Sequence, residues 1–369
     1  MKTTVRVKKV GQVALKALVS VLLTLLLLEC GSAAMIYSGR TPAAPPTYEI
    51  PTAQQPYAVD NNPYFGAWHL PNRVRKHRRA CFSVTYRTNS YGALDIERER
   101  TAVGSRTIVL GDSFTVGHGV NAPDRYSNRL EQLTGIPHLN FGAGGTSPIQ
   151  YFLTYKHLAR ELSHDRVLVG ILPDNDFDEG PEGSRYRPYW DGRYPSYTLR
   201  YSMRLEESDR FPARHPVGLT AHDVLSSVSA FYNVADYVAG YRKIMNRRPD
   251  RPDYAGYFDF TNEQLLRMRY SLEQLHALVP PGRMTVLGIP RLVDLDRYEK
   301  TGKNPFGDAM TLIAGEVGFE FIDTLPPMAK AFAGRQRELY LGCDGHWSPK
   351  GHDAAARAVR ERLYPQLGR

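Results

Sequence analysis

The sequence RTIVLGDSFTVGHGV, residues 106–120, joins a short apolar run, TIVL, to a glycine-containing turn. Four later segments carry apolar runs of similar length, which are HLNF (138–141), RVLVGIL (166–172), MTVLGI (284–289) and FEFI (319–322). Continuous apolar runs bounded by turns are typical of strands that are covered on both faces of a parallel sheet. The sequence therefore predicts five parallel strands.

Helical patterns of apolar residues lie between and after these runs, over Asp124–Thr134, Pro148–Leu162, Asn262–Leu278, Asp308–Val317 and Lys350–Leu363. Thr261 precedes the third of them and offers an oxygen that can cap its first turn. Strands that alternate with helices predict a three-layer α/β/α domain, which we expect over residues 104–369.

Residues 178–261 separate the third strand from the fourth by more than a normal crossover and predict an insertion. Thr220 and Asp223 have the spacing of a capping box at the start of a helix. Apolar residues recur behind them at helical spacing, namely Val224, Val228, Phe231, Val234, Val238 and Tyr241. We expect an amphipathic helix that packs on the domain or on a partner.

The N-terminal segment predicts a membrane anchor. ALVSVLLTLLLL (17–28) is uninterrupted, and after Glu29 the apolar character resumes to Tyr37, giving a helix of about 31 Å, one bilayer thickness. Basic residues precede it, so the positive-inside rule places residues 1–16 in the cytoplasm and the remainder outside, in the periplasm if the cell is Gram-negative. A cleaved signal peptide ending near Ala34 is the alternative, and a lipid anchor on Cys30 is a weaker one.

The other compositional features narrow the class of protein. The chain of 369 residues has a net charge of +9, but Lys2, Arg6, Lys8, Lys9 and Lys16 supply +5 of it, and 42 basic against 38 acidic residues leave only +4 elsewhere. This balance predicts no nucleic-acid partner. Residues 38–103 begin with a Pro-rich stretch to residue 63 that we expect to be an extended tether. Cys81 and Cys343 can form one bridge in an oxidising compartment, although two separate buried thiols are the favoured interpretation.

Polar and glycine residues follow the predicted strands at their carboxyl ends. These are Gly-Asp-Ser (111–113), Asn-Phe-Gly-Ala-Gly-Gly (140–145), Asp-Asn-Asp (174–176) and, further on, Asp-Gly-His-Trp (344–347). Carboxyl ends of parallel strands meet at one edge of a sheet, where ligands bind. A serine, a glycine turn, an asparagine and an Asp/His pair are the parts of an activated serine nucleophile with an oxyanion hole. No motif for a metal or a cofactor accompanies them, and this chemistry requires neither.

These four segments resemble the blocks of the SGNH hydrolases, also called GDSL-type esterases, which have a flavodoxin-like fold. The resemblance implies that Ser113 is the nucleophile, His346 the base and Asp344 the acid that orients it. It also implies that the backbone of Ser113, the backbone of Gly145 and the side chain of Asn175 form the oxyanion hole.

The resemblance covers roughly residues 104–177 and 284–365 and has two departures. A single residue separates Asp344 from His346 where many members have two, and this shorter Asp-x-His-Trp form is similar to that of relatives that transfer acetyl groups to alginate. The third block reads PDND instead of GxND. The N-terminal segment also resembles that of a membrane-anchored subgroup.

The resemblance implies an extracytoplasmic esterase that removes acyl, chiefly acetyl, groups from envelope or secreted polysaccharide. An O-acetyltransferase of the same fold, supplied by a membrane acyl-donor protein, is the alternative, and an inactive carbohydrate-binding module is a third. Tyr189, Trp190 and Arg200 belong to an inserted stretch rich in aromatic residues and arginines and are candidates for binding an acidic sugar chain. Packing of these aromatics onto the domain is the other interpretation.

Overall fold

The computed structural model describes residues 2–49, 51–52, 56–177, 185–208, 219–245 and 254–367. In this part of the chain the strands are β1 (Ala58–Asn62), β2 (Gly66–His69), β3 (Val74–Arg79), β4 (Phe82–Arg87), β5 (Thr107–Leu110), β6 (His138–Asn140), β7 (Arg166–Ile171), β8 (Pro188–Arg193), β9 (Ser196–Tyr201), β10 (Met284–Gly288) and β11 (Glu320–Asp323). The helices are α1 (Lys2–Tyr37), α2 (Ser113–Val116), α3 (Tyr126–Thr134), α4 (Pro148–His157), α5 (Leu205–Ser208), α6 (Ala221–Val228), α7 (Ala230–Met245), α8 (Asn262–His276), α9 (Leu292–Thr301), α10 (Pro305–Val317), α11 (Leu325–Ala331) and α12 (Pro349–Leu363).

Five strands form one parallel sheet in the order β6-β5-β7-β10-β11. In chain order this is 2-1-3-4-5, the flavodoxin-like arrangement, in which the direction of winding reverses between β5 and β7. The side chains of Ile108, Val109 and Leu110 in β5, which pairs with a strand on each side, are fully buried. The prediction of a three-layer α/β domain with five parallel strands is confirmed.

The predicted helices of the domain are present, with different ends. The first begins at Tyr126 because Ala122–Asp124 forms a separate 3-10 turn, and the second ends at His157, ahead of another such turn at Ala159–Glu161. The fourth begins at Pro305, where the Asn304 side chain accepts a hydrogen bond from the Gly307 amide at 3.1 Å. Thr261 caps α8 as expected.

The predicted tether is partly packed on the domain. Ala43 and Ala44 are buried, and the carbonyl of Ala44 accepts a hydrogen bond from the Asn233 side chain at 2.9 Å. Tyr57 and Ala58 are buried as β1 pairs with β2. Scattered small and aromatic side chains of this stretch are thus buried although they follow no helical or strand period. The boundaries of the segments stay predictions.

The insertion contains the β8–β9 hairpin and the helices α6 and α7. The capping box of Thr220 and Asp223 is present at the start of α6. The apolar residues at helical spacing belong to two helices, which are separated at Ser229 by its extended backbone. Val224, Val228, Phe231 and Val238 are exposed, so they do not pack on the domain, and packing on a partner stays a prediction. The Tyr241 side chain lies outside the described residues.

Candidate active site

Ser113 lies at the winding reversal of the sheet, immediately after β5. The Asp112 side chain caps the short helix α2 by accepting a hydrogen bond from the Phe114 amide at 2.9 Å. This cap fixes Ser113 as the first residue of α2. Its Oγ lies 2.7 Å from Nε2 of His346, which is a normal hydrogen-bond distance.

His346 and Asp344 belong to a tight loop before α12. The carbonyl of His346 accepts a hydrogen bond from the Leu341 amide at 2.7 Å, and the Gly345 amide donates to the Leu341 carbonyl at 2.9 Å. Gly345 has a φ of +87°, a left-handed conformation that glycine adopts without a steric penalty. This conformation allows a single intervening residue to bring Asp344 Oδ1 into a hydrogen bond with His346 Nδ1.

A disulfide bond attaches this loop to the turn between β3 and β4. Cys81, between β3 and β4, is bonded to Cys343, the residue before Asp344. The favoured interpretation of two separate thiols was therefore wrong, since two cysteines 262 positions apart carry no sequence signal that they meet. Cys30 is exposed and free.

His118 is a further neighbour of the triad, for which the sequence analysis predicted no role in the site. Its Nε2 lies 3.5 Å from Asp344 Oδ2, and its ring lies against that of His346 with 4.4 Å between centroids. Burial of Asp344 opposes its ionisation, but hydrogen bonds from His118 and His346 outweigh this effect and hold the pKa of the carboxyl far below its usual range. Asp344 therefore stays ionised while it orients His346.

The glycine turn after β6 lies against the nucleophile. A Cβ on Gly144 would be 3.7 Å from the Ser113 Cβ. A Cβ on Gly142 would be only 2.8 Å from the Val116 amide nitrogen, so a side chain at this position would push the turn away from α2. Gly145 follows in the same turn. The backbone donor role of Gly145 in an oxyanion hole stays a prediction.

Asn175 follows β7, beside β5 in the sheet, and its side chain amide donates to Asp112 Oδ2 at 3.1 Å. The amide group carries two hydrogens, so this bond leaves one donor for another acceptor. The Asp112 carboxylate thus accepts hydrogen bonds from the Phe114 amide, from Asn175 and, at 3.4 Å, from Ser113 Oγ. Asp112 is a positioning residue, and its place between the nucleophile and the amide donor had no sequence signal beyond its position before Ser113.

Asp112 differs from Asp344 in its electrostatics. Its side chain is completely buried, and this burial raises the pKa of the carboxyl to about 6, although hydrogen bonds from Phe114, Asn175 and Ser113 act in the opposite direction. Asp344 faces two imidazoles instead. The two carboxylates of the site therefore have pKa values on opposite sides of the ordinary value.

Among the described residues, one group of side chains has the geometry to hold a metal ion, namely His118, Asp344 and His346, whose ligand atoms lie within 4.8 Å of one another. The Asp344 carboxylate and the His346 imidazole also make the hydrogen bond that orients the base. A metal held by these groups would compete with the hydrogen bonds of the triad. The arrangement fits acid–base chemistry without a metal.

The three candidate polymer-binding residues lie on the β8–β9 hairpin of the insertion. Trp190 is buried, donates through Nε1 to Ser271 Oγ at 2.7 Å and lies edge-on to Tyr270. Trp190 therefore packs the hairpin onto the domain, which was the other interpretation, and the role in binding sugar proposed for it was wrong. Tyr189 and Arg200 pair across the hairpin, and Arg200 forms an exposed ion pair with Asp191 at 3.6 Å. Their role in substrate binding stays a prediction.

Comparisons with known proteins add little to this geometry. No family model matches the chain, and no curated protein matches it. Similar solved structures include a lipase/acylhydrolase from Enterococcus faecalis, with 11% identity, 71% of this chain and 96% of that chain covered and a TM-score of 0.38. A member of the lipolytic protein G-D-S-L family from Veillonella parvula has 12% identity, with 70% and 98% covered and a TM-score of 0.36.

A carbohydrate esterase family 2 enzyme with a carbohydrate-binding domain, from Corynascus thermopiles, has 14% identity, with 74% of this chain and 69% of that chain covered and a TM-score of 0.40. At such TM-scores the likeness carries no argument about the activity of this chain. The function has to be argued from the site itself.

Proposed function

We propose that this protein is a membrane-anchored serine esterase of the SGNH type that hydrolyses carboxylic esters, chiefly acetyl esters, on envelope or secreted polysaccharide. The observation that carries the proposal is the continuous contact from Ser113 Oγ through His346 to Asp344 at the winding reversal of the sheet. Three side chains from two distant segments meet there in the order that nucleophilic catalysis requires.

The first half of the reaction forms an acyl-serine. His346 Nε2 takes the proton of Ser113 as Oγ attacks the ester carbonyl, and ionised Asp344 stabilises the imidazolium that forms. The carbonyl oxygen becomes an oxyanion that accepts hydrogen bonds from the Ser113 and Gly145 amides and the second hydrogen of the Asn175 amide. Each such donor lowers the barrier by about 3 kcal/mol. His346 then gives its proton to the sugar oxygen, which leaves as the alcohol.

The second half releases the acyl group. His346 takes a proton from water, and the resulting nucleophile attacks the acyl-serine through a second oxyanion. Collapse of this intermediate frees the carboxylic acid, and the proton on His346 returns to Ser113 Oγ. If a sugar hydroxyl replaces water, the same steps transfer the acyl group, so access of water to the acyl-serine decides between hydrolysis and transfer.

Retention of the anchor is supported by its contacts with the domain. α1 contains the segment Gln12–Tyr37, which is long and apolar enough to cross a membrane. Glu29 within it accepts hydrogen bonds from the amides of Ala230 and Phe231 at the start of α7, at 2.5 and 3.1 Å. A cleaved signal peptide would leave this helix end without its partner. The disulfide supports an oxidising compartment outside the cytoplasm.

The choice of acetyl esters on polysaccharide rests on the resemblance of the Asp344–Trp347 block to that of alginate-acetylating relatives. An acidic polymer would be supported by Arg200 if its carboxylates replace that of Asp191 in the exposed ion pair. The test therefore uses both a small acetyl ester and an acetylated acidic polysaccharide.

The test compares the full chain with Ser113→Ala and with Ser83→Ala, an exposed serine of β4 that serves as the matched control. We expect release of 4-nitrophenol from 4-nitrophenyl acetate, and of acetate from acetylated alginate, to fall to the uncatalysed rate in Ser113→Ala only. Ser113-dependent hydrolysis of the small ester but not of the polymer would limit the proposal to a general esterase. Absence of Ser113-dependent release from both would overturn it.

A second arm adds a deacetylated oligosaccharide as an acceptor and follows its mass. If Ser113 transfers acetyl groups to the acceptor at the expense of hydrolysis, the protein is an acetyltransferase. If the products are the same with and without the acceptor, it is a hydrolase.

A further inference from the structure

The helices α6 and α7 expose apolar residues and bury polar ones. Val224, Leu225 and Val228 of α6 are 39, 43 and 49% exposed, and Phe231 and Val238 of α7 are 40 and 42% exposed. Ala235 is exposed on the same side of α7, since positions 231, 235 and 238 lie on one face of a helix. We call these six residues the outward face.

The opposite sides of the two helices bury polar side chains, next to the apolar contacts of Ala230 and Val234 in α7. Ser226 and Ser227 of α6 and Asn233 of α7 are at most 5% exposed. Each is hydrogen-bonded, for example Asn233 to the carbonyls of Ala44 and Ser226. A helix on the surface of a water-soluble domain has the reverse pattern, with its apolar stripe towards the core. The outward face is therefore built for an apolar environment.

The position of this face is fixed by α1. Glu29 caps the N-terminus of α7, and Ala230 and Val234 pack in one cluster with Ala33 and Ile36. The first turns of α7 therefore run beside the last turns of α1. Glu29 precedes the end of the predicted span by eight residues, so α7 begins about 12 Å inside it.

This geometry also explains an acidic residue within an apolar segment. The Glu29 carboxylate has three donors at the start of α7, the two amides and Ser229 Oγ at 2.8 Å. A carboxylate with this many hydrogen bonds is compatible with a low-polarity surrounding. This contact is expected if the junction between α6 and α7 lies in the same membrane environment as Glu29 of α1.

We propose that the outward face of α6 and α7 inserts into the acyl-chain region of the outer membrane leaflet, beside the transmembrane part of α1. The occupant is lipid because the face continues the lipid-facing surface of α1 and lies at the depth of its last two turns. Amphipathic helices that bind an interface bury their apolar face by about 5–10 Å, a range that lies within the last two turns of α1. The proposal rests on the membrane anchoring in the proposed function but not on the esterase activity.

One consequence concerns the active site. A Cβ on Gly240 of α7 would lie 3.2 Å from the Cys343 carbonyl, so α7 packs against the loop that carries Asp344. From Ala230 to Gly240 the helix rises about 15 Å. The membrane contact would hold the acid–base loop within one helix length of the lipid surface, where an ester on a membrane-bound polymer is within reach.

The experiment uses the full chain in vesicles of phosphatidylcholine and phosphatidylglycerol, with Cys30→Ser as background. A nitroxide is attached to Val228→Cys on the outward face, to Leu23→Cys in α1 and to Leu312→Cys, an exposed apolar position of α10 that serves as the matched control. The measurement is the collision rate of each nitroxide with oxygen, which concentrates in lipid, relative to a water-soluble nickel chelate.

We expect this ratio at position 228 to be at least several-fold above that at position 312 and close to that at position 23. A ratio equal to that at position 312 would place the face in water and overturn the proposal. Exclusion of both reagents would show that a protein covers the face and would also overturn it. A water-like ratio at position 23 would refute the anchor itself, and the membrane contact with it.

Hydrolysis of 4-nitrophenyl acetate by each labelled variant is recorded separately. Loss of this activity in all variants and in the unlabelled protein would contradict the esterase function while the nitroxide ratios still decide the membrane contact. Thermal unfolding of each variant confirms that the labelled proteins are folded.

Discussion

The nucleophile half of the candidate site and its acid–base half are held in different ways. Ser113 and Asn175 follow β5 and β7, neighbouring strands at the centre of the sheet, and Asp112 joins them through its buried carboxylate. Asp344 and His346 lie in a loop that is held by a disulfide, by α7 and by His118. The first half is part of the core of the domain, whereas the second depends on segments outside it.

The difference indicates where the site is sensitive to its surroundings. The winding reversal places the nucleophile half by backbone pairing, which involves many buried residues at once. The acid–base half depends on a small number of contacts with the N-terminal extension and the insertion. We therefore expect changes around Asp344 to alter activity with little effect on the sheet.

Asp344→Asn is expected to have the largest effect, a loss of about 10⁴-fold in kcat/KM. The amide keeps the shape of the carboxylate but cannot stabilise the imidazolium, and it can favour the wrong tautomer of His346. Steady-state hydrolysis of 4-nitrophenyl acetate at pH 7 measures the effect, with Asp191→Asn on the exposed hairpin as control. Activity of Asp344→Asn within tenfold of wild type would mean that the acid–base half is not catalytic.

Removal of the disulfide with Cys81→Ser and Cys343→Ser is expected to lower the free energy of unfolding by about 4 kcal/mol, because the bridge closes a very long loop. Hydrogen exchange should increase in residues 341–346 more than in residues 107–113, since only the former are tied by the bridge. Cys30→Ser is the control. Equal increases in both segments would show that the two halves are not held independently.

Asp112→Asn tests the nucleophile half through pH. The folded-state pKa of Asp112 is raised to about 6, so between about pH 4 and pH 6 the folded protein binds a proton that the unfolded chain has released. This carboxyl therefore makes the protein more stable as the pH falls from 6 to 4, by about 3 kcal/mol. Thermal unfolding of wild type and Asp112→Asn across this range measures the difference.

The two unfolding curves should diverge in favour of wild type as the pH falls, because the amide that replaces the carboxyl in Asp112→Asn does not titrate. Parallel curves would show that the Asp112 carboxyl is not buried as described. Asp353→Asn, at a half-exposed carboxylate of α12, is the control for general effects of charge.

The sequence predicted the nucleophile half better than the acid–base half, for physical reasons. Apolar runs identify β5 and β7, and residues at the ends of parallel strands meet at one edge whatever lies between them. Ser113 and Asn175 could therefore be placed together from spacing alone. Asp344 and His346 could be paired only because a single residue separates them.

The contacts that support the second half have no such pattern. Nothing in the spacing of Cys81 and Cys343 indicates that they meet, and His118 reaches Asp344 only because the turn after α2 faces the loop. Asn233 of α7 bonds to Ala44, and Ser229 between α6 and α7 bonds to Glu29, each across more than 180 positions. Long-range contacts between single residues leave no periodic trace in the sequence.

His118 offers the finest test of how the acid–base half is held. Its hydrogen bond to Asp344 is long, at 3.5 Å, so its loss should cost near the lower end of the range for bonds to charged groups, about 1.5 kcal/mol or roughly tenfold in rate. We expect His118→Leu to lower kcat by this factor with KM unchanged, because the residue acts through Asp344 and not on the substrate.

His118→Gln should recover much of the loss, since its amide can donate to Asp344 in place of the imidazole. His276→Leu on α8 is the control for loss of a histidine elsewhere. If His118→Leu and His118→Gln lose the same activity and unfold at the same lower temperature, His118 acts only by packing. If His118→Gln restores kcat while both variants unfold at the same temperature, His118 supports catalysis through its hydrogen bond to Asp344.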